Sequence, residues 1–216
     1  MKKKSNIYLL ILTLITVHIS AIPIGEVVVI DIPWILDAND DCSILVGGGA
    51  GGQFWTEETG VVTISSTSEA AAISENGIIA GTEVEEDEAT ACWWDIDILE
   101  PNFLGSVQAD QTNTANAINN DGSVIAGLQW YSGGMGSAKA YKWTPESGSV
   151  LLPDVLNWSS SRVDCITPDG SLIGGYAAQE RSIWRPVLWN ETEIIELPYI
   201  MDTFSVVSSI SPNGEW

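Results

Sequence analysis

Among side chains that carry enzyme chemistry, this chain is rich only in carboxylates: 29 Asp and Glu stand against three Cys and one His. His18 lies inside an apolar N-terminal stretch that reads as a removable leader, so the processed chain is expected to contain no imidazole. That excludes Ser-His-Asp and Cys-His constellations and histidine-ligated zinc. Carboxylates alone leave two chemistries open. One is glycoside hydrolysis by an acid pair, with Glu86, Asp95, Asp97 and Asp169 available and Asp121 and Asp169 the expected axial acids. No spacing singles out an acid and a nucleophile among them. The other is calcium binding, because Asp37-Ala38-Asn39-Asp40-Asp41 sets oxygens at alternate positions as an EF-hand loop does. The candidate ligands are Asp37, Asn39 and Asp41. However, Cys42 stands where that loop needs glycine, Gly48 where it needs a bidentate glutamate, and Asn and Asp also serve turns for backbone reasons. The sequence thus assigns no catalytic residue and calls for no cofactor.

Aromatic residues are the other candidates for binding. Of ten tryptophans, Trp55, Trp94, Trp143 and Trp189 sit at equivalent places in a repeat and are expected in the core. Trp130, Trp158 and Trp184 are off that register and expected at the surface; Trp130, Tyr131 and Trp184, in or beside variable loops, are the candidate ligand-binding residues. The run Glu83 to Glu88 reads as a solvated acidic loop, and Gly47 to Gly52 as a flexible connection. Asn157-Trp158-Ser159 and Asn190-Glu191-Thr192 are sequons that matter only in a eukaryotic secretory route.

Lys2 to Lys4, the apolar stretch Ile7 to Ile19 and the small pair Ser20-Ala21 predict a signal peptide over 1–21, and hence a secreted or cell-envelope location, extracellular or periplasmic. No membrane span is expected after leader cleavage. Five basic residues then face 29 acids, so nucleic acid and anionic lipid are expected to be repelled. The expected partner is an unknown extracellular ligand, a glycan or a protein. Cys165 replaces the alanine of neighbouring copies and is expected to pack rather than bridge.

The elements that must position these residues are written as a repeat. Ala72 to Gly81 reads AISENGIIAG, Ala117 to Gly127 AINNDGSVIAG and Cys165 to Gly175 CITPDGSLIGG. A further start follows at Ser209, and Asp40-Asp41-Cys42 opens an atypical first copy. The turn glycines 77, 122, 170 and 214 recur every 44 to 48 residues. Asn-Gly and Asp-Gly predict tight primed hairpins with positive φ at both central residues. A second hairpin follows each tryptophan, as in Gln53 to Ile64, Ala140 to Pro153 and Val187 to Pro198, with a degenerate version from Cys92. Four short strands in about 45 residues are the arithmetic of an all-β β-propeller built of four-stranded blades. The domain spans 22–216, with units 26–66, 67–112, 113–160 and 161–205 and the start of a fifth at 206–216. This predicts a propeller incomplete at its C-terminus, a piece of a longer array. Glu26 to Ile30 could add an edge strand, and the small residues ending each second strand are expected to relieve crowding near the axis. Thr82–Thr90, Leu128–Lys139 and Tyr176–Ile183, joining strands two and three, are expected to crowd one face.

Ala117-Ile118-Asn119, Gly122 and Gly127, with Ala72-Ile73-Ser74, Gly77 and Gly81, resemble the repeat unit of bacterial extracellular HAF-type proteins. Leu104-Gly105, Leu152-Pro153 and Leu197-Pro198 look like the tail of that unit. The His-Ala-Phe triplet is absent, its place taken by Ala140-Tyr141 and Val187-Leu188. The TPDG and SPNG turns also look like those of TolB-type and WD-repeat propellers. The resemblance implies a secreted or envelope propeller-like protein with no established catalysis. The expected function is therefore an exported, non-catalytic binding or structural module; the alternative is a carbohydrate-active propeller enzyme using axial carboxylates.

Overall fold

The computed structural model describes residues 28–49, 51–86, 88–108, 111–131, 137–154, 159–179, 183–198 and 204–214. The leader at 1–21, the sequon at Asn157 with Trp158, and the side chain of Tyr131 lie outside them. The described residues form four antiparallel sheets, each a meander of four consecutive strands. Sheet one holds β1 (Trp34–Ala38), β2 (Ile44–Gly49), β3 (Gly51–Thr56) and β4 (Gly60–Ser65). Sheet two holds β5 (Ser68–Ile73), β6 (Ile78–Glu85), β7 (Glu88–Asp95) and β8 (Asn102–Phe103). Sheet three holds β9 (Gln111–Ile118), β10 (Ile125–Tyr131), β11 (Lys139–Thr144) and β12 (Gly148–Leu151). Sheet four holds β13 (Ser160–Ile166), β14 (Ile173–Gln179), β15 (Ile183–Trp189) and β16 (Ile194–Glu196).

The repeated phrase makes the first hairpin of each sheet, but not by the primed turn expected. Positive φ falls on the glycine alone, at +84° in Gly77, +74° in Gly122 and +74° in Gly170. The residues before it are fixed by side-chain oxygens instead. Asn119 Oδ1 accepts the Val124 N–H at 2.8 Å and Asp121 Oδ1 accepts the Ser123 N–H at 2.9 Å. In the first copy Cys42 takes the glycine's place at φ +57°, with Asn39 and Asp41 holding Ile44 N–H and Ser43 N–H in the same way.

Every first strand carries a β-bulge six residues before that turn position, leaving Leu36, Ala71, Asn116 and Asp164 without a cross-strand partner. A bulge pushes the backbone sideways and re-aims one side chain. Opposite it stands glycine in all four sheets: a Cβ on Gly47, Gly81, Gly127 or Gly175 would lie 1.9 to 2.0 Å from the carbonyl oxygen of Trp34, Glu69, Thr114 or Arg162. The glycine that ends the phrase therefore answers a local backbone approach rather than general crowding.

Three hydrophobic seams join the four sheets. Strand side chains alternate faces, so neighbouring residues serve different seams. Ile79 packs back onto Val46 and Phe54 of sheet one, while Ala80 packs forward against Ile125 and Tyr141 of sheet three. Ala126 and Ala140 in turn meet Ile173, Val187 and Trp189 of sheet four. Large residues on one face thus meet small ones on the next. Trp55, Trp94 and Trp189 are buried and Trp143 is partly buried against the second seam, each in the core position expected. Cys165 packs as a free thiol, its Sγ facing the Val207 carbonyl.

Buried polar side chains latch the seams. Gly52 N–H donates to Ser68 Oγ at 3.2 Å, Ala91 N–H to Asn113 Oδ1 at 2.8 Å and Ala140 N–H to Ser161 Oγ at 2.9 Å. Each acceptor opens a sheet and each donor lies on the third strand of the sheet before it. A ladder between turns adds to this: Glu75 N–H donates to Asn120 O at 2.9 Å and Asn120 N–H to Pro168 O at 3.0 Å. Asn113 also donates to Gly105 O at 3.0 Å. Asn113→Ala is expected to cost about 1–3 kcal/mol, since it strands the buried Ala91 N–H; a urea titration measures the loss.

Several local expectations differ from the structure. The run Gly47 to Gly52 is a tight hairpin, with Gly49 opposite Gly51, because Gly48 sits where a Cβ would strike Gly51 O and Gly52 where it would strike Ser68 Oγ. Most of the acidic run is paired strand, Glu85 facing Glu88, with Glu86 at φ +49° at the tip. After Trp94 the chain turns through Ile96–Leu99, Asp95 Oδ1 accepting Asp97 N–H, and the last strand is Asn102–Phe103. Val28 to Ile30 is not a strand; Ile30 and Ile32 cover the outer face of Leu45 and Trp55. At the other side, residues 204–214 lie on sheet four as a first strand lies on its predecessor. Ser205 N–H donates to Trp184 O at 3.1 Å, matching Ser161 N–H to Ala138 O.

Candidate functional site

The bulges bring one residue from each first strand to a shared cavity of about 290 Å³. Asn116 and Asp164 line it at bulge positions, as do Leu36 and Ala71, and Ser208 joins them from the segment after sheet four. Asp37, one place further along, adds a second carboxyl. Asn116 is fixed by donating Nδ2–H to Val163 O at 2.8 Å while its Oδ1 accepts the Thr114 hydroxyl at 3.2 Å. Asp37 accepts the Ile73 N–H across the first seam at 3.0 Å. Asp164 pairs with Arg162 through Oδ1, and its Oδ2 is buried without a hydrogen-bond partner. Burial pushes the carboxyl of Asp37 above the usual range, against the pull of Ile73 N–H. Burial raises Asp164 as well, against the pull of Arg162. Groups of this kind, partly desolvated and facing a cavity, are the ones that functional sites use.

Arg162 begins an aromatic column on the side of sheet four. Its guanidinium lies 5.2 Å from the Tyr176 ring centroid, Tyr176 stacks on Trp184 at 4.3 Å and 2°, and Phe204 meets Trp184 edge-on at 5.0 Å. Trp184, expected at an exposed surface, is partly buried between two aromatic neighbours, and Trp130 is partly buried on β10 of sheet three. The calcium candidates are spent on amides: Asp37 on Ile73, Asn39 on Ile44 and Asp41 on Ser43. Asp121 and Asp169, expected at the axis, sit instead at exposed turn tips. Their place follows from the turn, where each must reach the amide two residues on. Glu83 is buried under the hydroxyls of Ser65 and Thr67, while Glu85, Glu86 and Glu88 rim a separate cup beside Phe103.

No family model and no curated protein sequence matches the chain. Solved structures do. TolB from Acinetobacter baumannii superposes with a TM-score of 0.59 at 16% identity, over 82% of this chain and 46% of that one. A TolB-type protein of Agrobacterium tumefaciens gives 0.58 at 11%, over 76% and 61%. Oligogalacturonate lyase from Vibrio parahaemolyticus gives 0.52 at 15%, over 82% and 59%. The fold is a β-propeller. The chain spans about half to three-fifths of the length of these structures, and at such identities the likeness is one of blades and their order.

The bulge residues Leu36, Ala71, Asn116 and Asp164 thus converge on one cavity, and the turn aspartates Asp41, Asp121 and Asp169 lie outside its lining. Asp169 is held down to about 2 by the Ser171 N–H, then by the hydroxyls of Thr167 and Ser171. Asp121 and Asp41 are lowered by Ser123 and Ser43 in the same manner. A carboxyl depressed on folding stabilises above its unfolded value of 3.8 and loses that contribution as pH falls toward about 2. Asp37 and Asp164, raised on folding, act with the opposite sign. Asp169→Asn is therefore expected to flatten the fall in melting temperature between about pH 4 and pH 2, which thermal melts across that window measure.

Proposed function

We propose that this protein is an exported, non-catalytic propeller that binds a ligand at its axis. The supporting observation is the contrast between constant and variable positions of one repeated frame. Seam residues, turn glycines and the glycine facing the bulge recur from blade to blade. The bulge position, aimed inward by the same geometry, reads Leu36, Ala71, Asn116 and Asp164, with Ser208 beside them in the lining. A frame that repeats and a lining that does not is what recognition of one asymmetric ligand requires. Export rests on the leader-like residues 1–21, and a place among HAF-type repeat proteins on the AIN–DG–AG phrase.

The test is to screen the secreted protein against glycan and peptide arrays beside Ala71→Trp, which fills the axis from a partly exposed position. Binding hits should vanish in the variant while its melting temperature holds. Hits that survive the plug would place the ligand elsewhere. A second reading, a carbohydrate-active enzyme, is favoured by Asp37 and Asp164 alone: a carboxyl raised by burial suits a general acid. That reading requires turnover of a glycan that disappears in Asp37→Asn or Asp164→Asn while binding remains.

A further inference from the structure

We infer that the axial cavity is built to receive a lysine side chain presented by a partner polypeptide, its ammonium held by Asp37 and Asn116. The inference rests on the axis being the binding site and goes further by naming the group that enters. Three observations carry it.

The first is charge. Asp37 and Asp164 both line the cavity, and the Arg162 guanidinium is paired with Asp164 and laid over Tyr176. No ion pair among the described residues includes Asp37. Among the described residues, the Asp37 carboxylate therefore has no cationic partner. The chain's formal charge of −21 draws a basic partner to it from a distance.

The second is the balance of donors and acceptors. One of the two Asn116 amide hydrogens goes to Val163 O, and the Arg162 guanidinium pairs with Asp164 through a terminal nitrogen. Among the lining residues acceptors are well represented: the Asp37 carboxylate, the Asn116 amide oxygen, which holds only the Thr114 hydroxyl, and the hydroxyls of Ser208 and Ser209. An ammonium brings three donors and no acceptor, which is the complement of this set. An anion would meet two carboxyls. A guanidinium prefers a carboxylate with both oxygens free, and here Asp37 has given one to Ile73 and Asp164 one to Arg162. A metal ion is served poorly, since no group of three or more His, Cys, Asp or Glu among the described residues is arranged to hold one.

The third is shape. About 290 Å³ admits a single long side chain, and Leu36, 63% exposed at its bulge, supplies an apolar wall. Methylenes of a lysine stem pack on such a wall while the charged head reaches past it; a hydroxylated sugar ring gains less there.

The experiment is an NMR titration of the full chain, following the Asn116 side-chain amide, with Nα-acetyl-lysine amide as probe. Nα-acetyl-norleucine amide has the same stem without the charge, and glucosamine has the charge without the stem. The lysine probe should shift the Asn116 signal saturably and bind at least tenfold more tightly than either control. Asp37→Asn should weaken it tenfold or more, with thermal melts showing the variant folded, and Ala71→Trp should abolish it. Equal binding of the norleucine probe would overturn the ammonium, and stronger binding of glucosamine would overturn the lysine stem. No saturable shift with any amine, in a protein whose array hits are still blocked by Ala71→Trp, would overturn this inference and leave the axial site standing. Array hits indifferent to that plug would remove the site itself.

Discussion

Gly127→Ala is expected to destabilise the protein by about 3 kcal/mol, the upper end of what forced overpacking costs, although it adds a single methyl group. The new Cβ would lie 1.9 Å from Thr114 O, and its nearest neighbours are backbone atoms, which cannot rotate away. The strand can accept alanine only by straightening the bulge at Asn116, which breaks the register between β9 and β10. Gly148→Ala supplies the contrast. Its φ is +64° but nothing lies within 4 Å of the added carbon, so only the cost of a left-handed residue remains, about 1–2 kcal/mol. Urea midpoints of the two variants separate the mechanisms. Equal small losses would show that the bulge yields, and that the axial residue is not rigidly aimed.

Trp94→Ala is expected to cost about 3–5 kcal/mol, the range for emptying a large aromatic site in a close-packed interior. Trp94 is 1% exposed and sits in the seam with Val46, Phe54 and Cys92, so its loss opens a gap between sheets one and two. Small domains hold only about 5–15 kcal/mol in all, and this one is assembled from seams of similar size. The change should lower the urea midpoint far more than Trp130→Ala, whose side chain is only partly buried. A comparable effect from both would mean that the seams do not carry the stability.

The architecture was legible because its signals are local and recur. The phrase from Ala117 to Gly127 contains a whole hairpin, and the distance from Gly77 to Gly122 is a whole four-stranded sheet. Tryptophan register placed Trp55, Trp94 and Trp189 in the core because large residues on one face must meet small residues on the next. The turn type was misread because Asn-Gly and Asp-Gly satisfy two geometries; side-chain oxygens such as Asn119 Oδ1, bonding five residues ahead, decided between them. The acidic run looked like a loop because charge predicts solvent and not pairing, and Glu85 opposite Glu88 is both solvated and paired.

The axial lining was the harder part. Asp121 and Asp169 seemed to belong there because they are acids near the repeat centre, but their own turns claim them. Asn116 and Asp164 carry no motif. What marks them is a fixed distance to the turn glycine combined with a residue type that changes in every copy, a pattern that shows only when the copies are aligned on the bulge. Latches such as Ser68, Asn113 and Ser161 were invisible for a similar reason, since three ordinary polar residues share a task through position and not through type.

Two prolines give the array a grain. Pro186 stands on β15 where Gly52, Ala91 and Ala140 each lend an amide hydrogen to the following blade, and Pro168 stands where Glu75 and Asn120 do the same between turns. Neither has a hydrogen to lend. The contact between the fourth blade and residues 204–214 therefore lacks both fasteners that the joint between blades two and three possesses, and rests instead on the Ser205 and Val207 amides and on Val207 and Ile210 closing over Gly174.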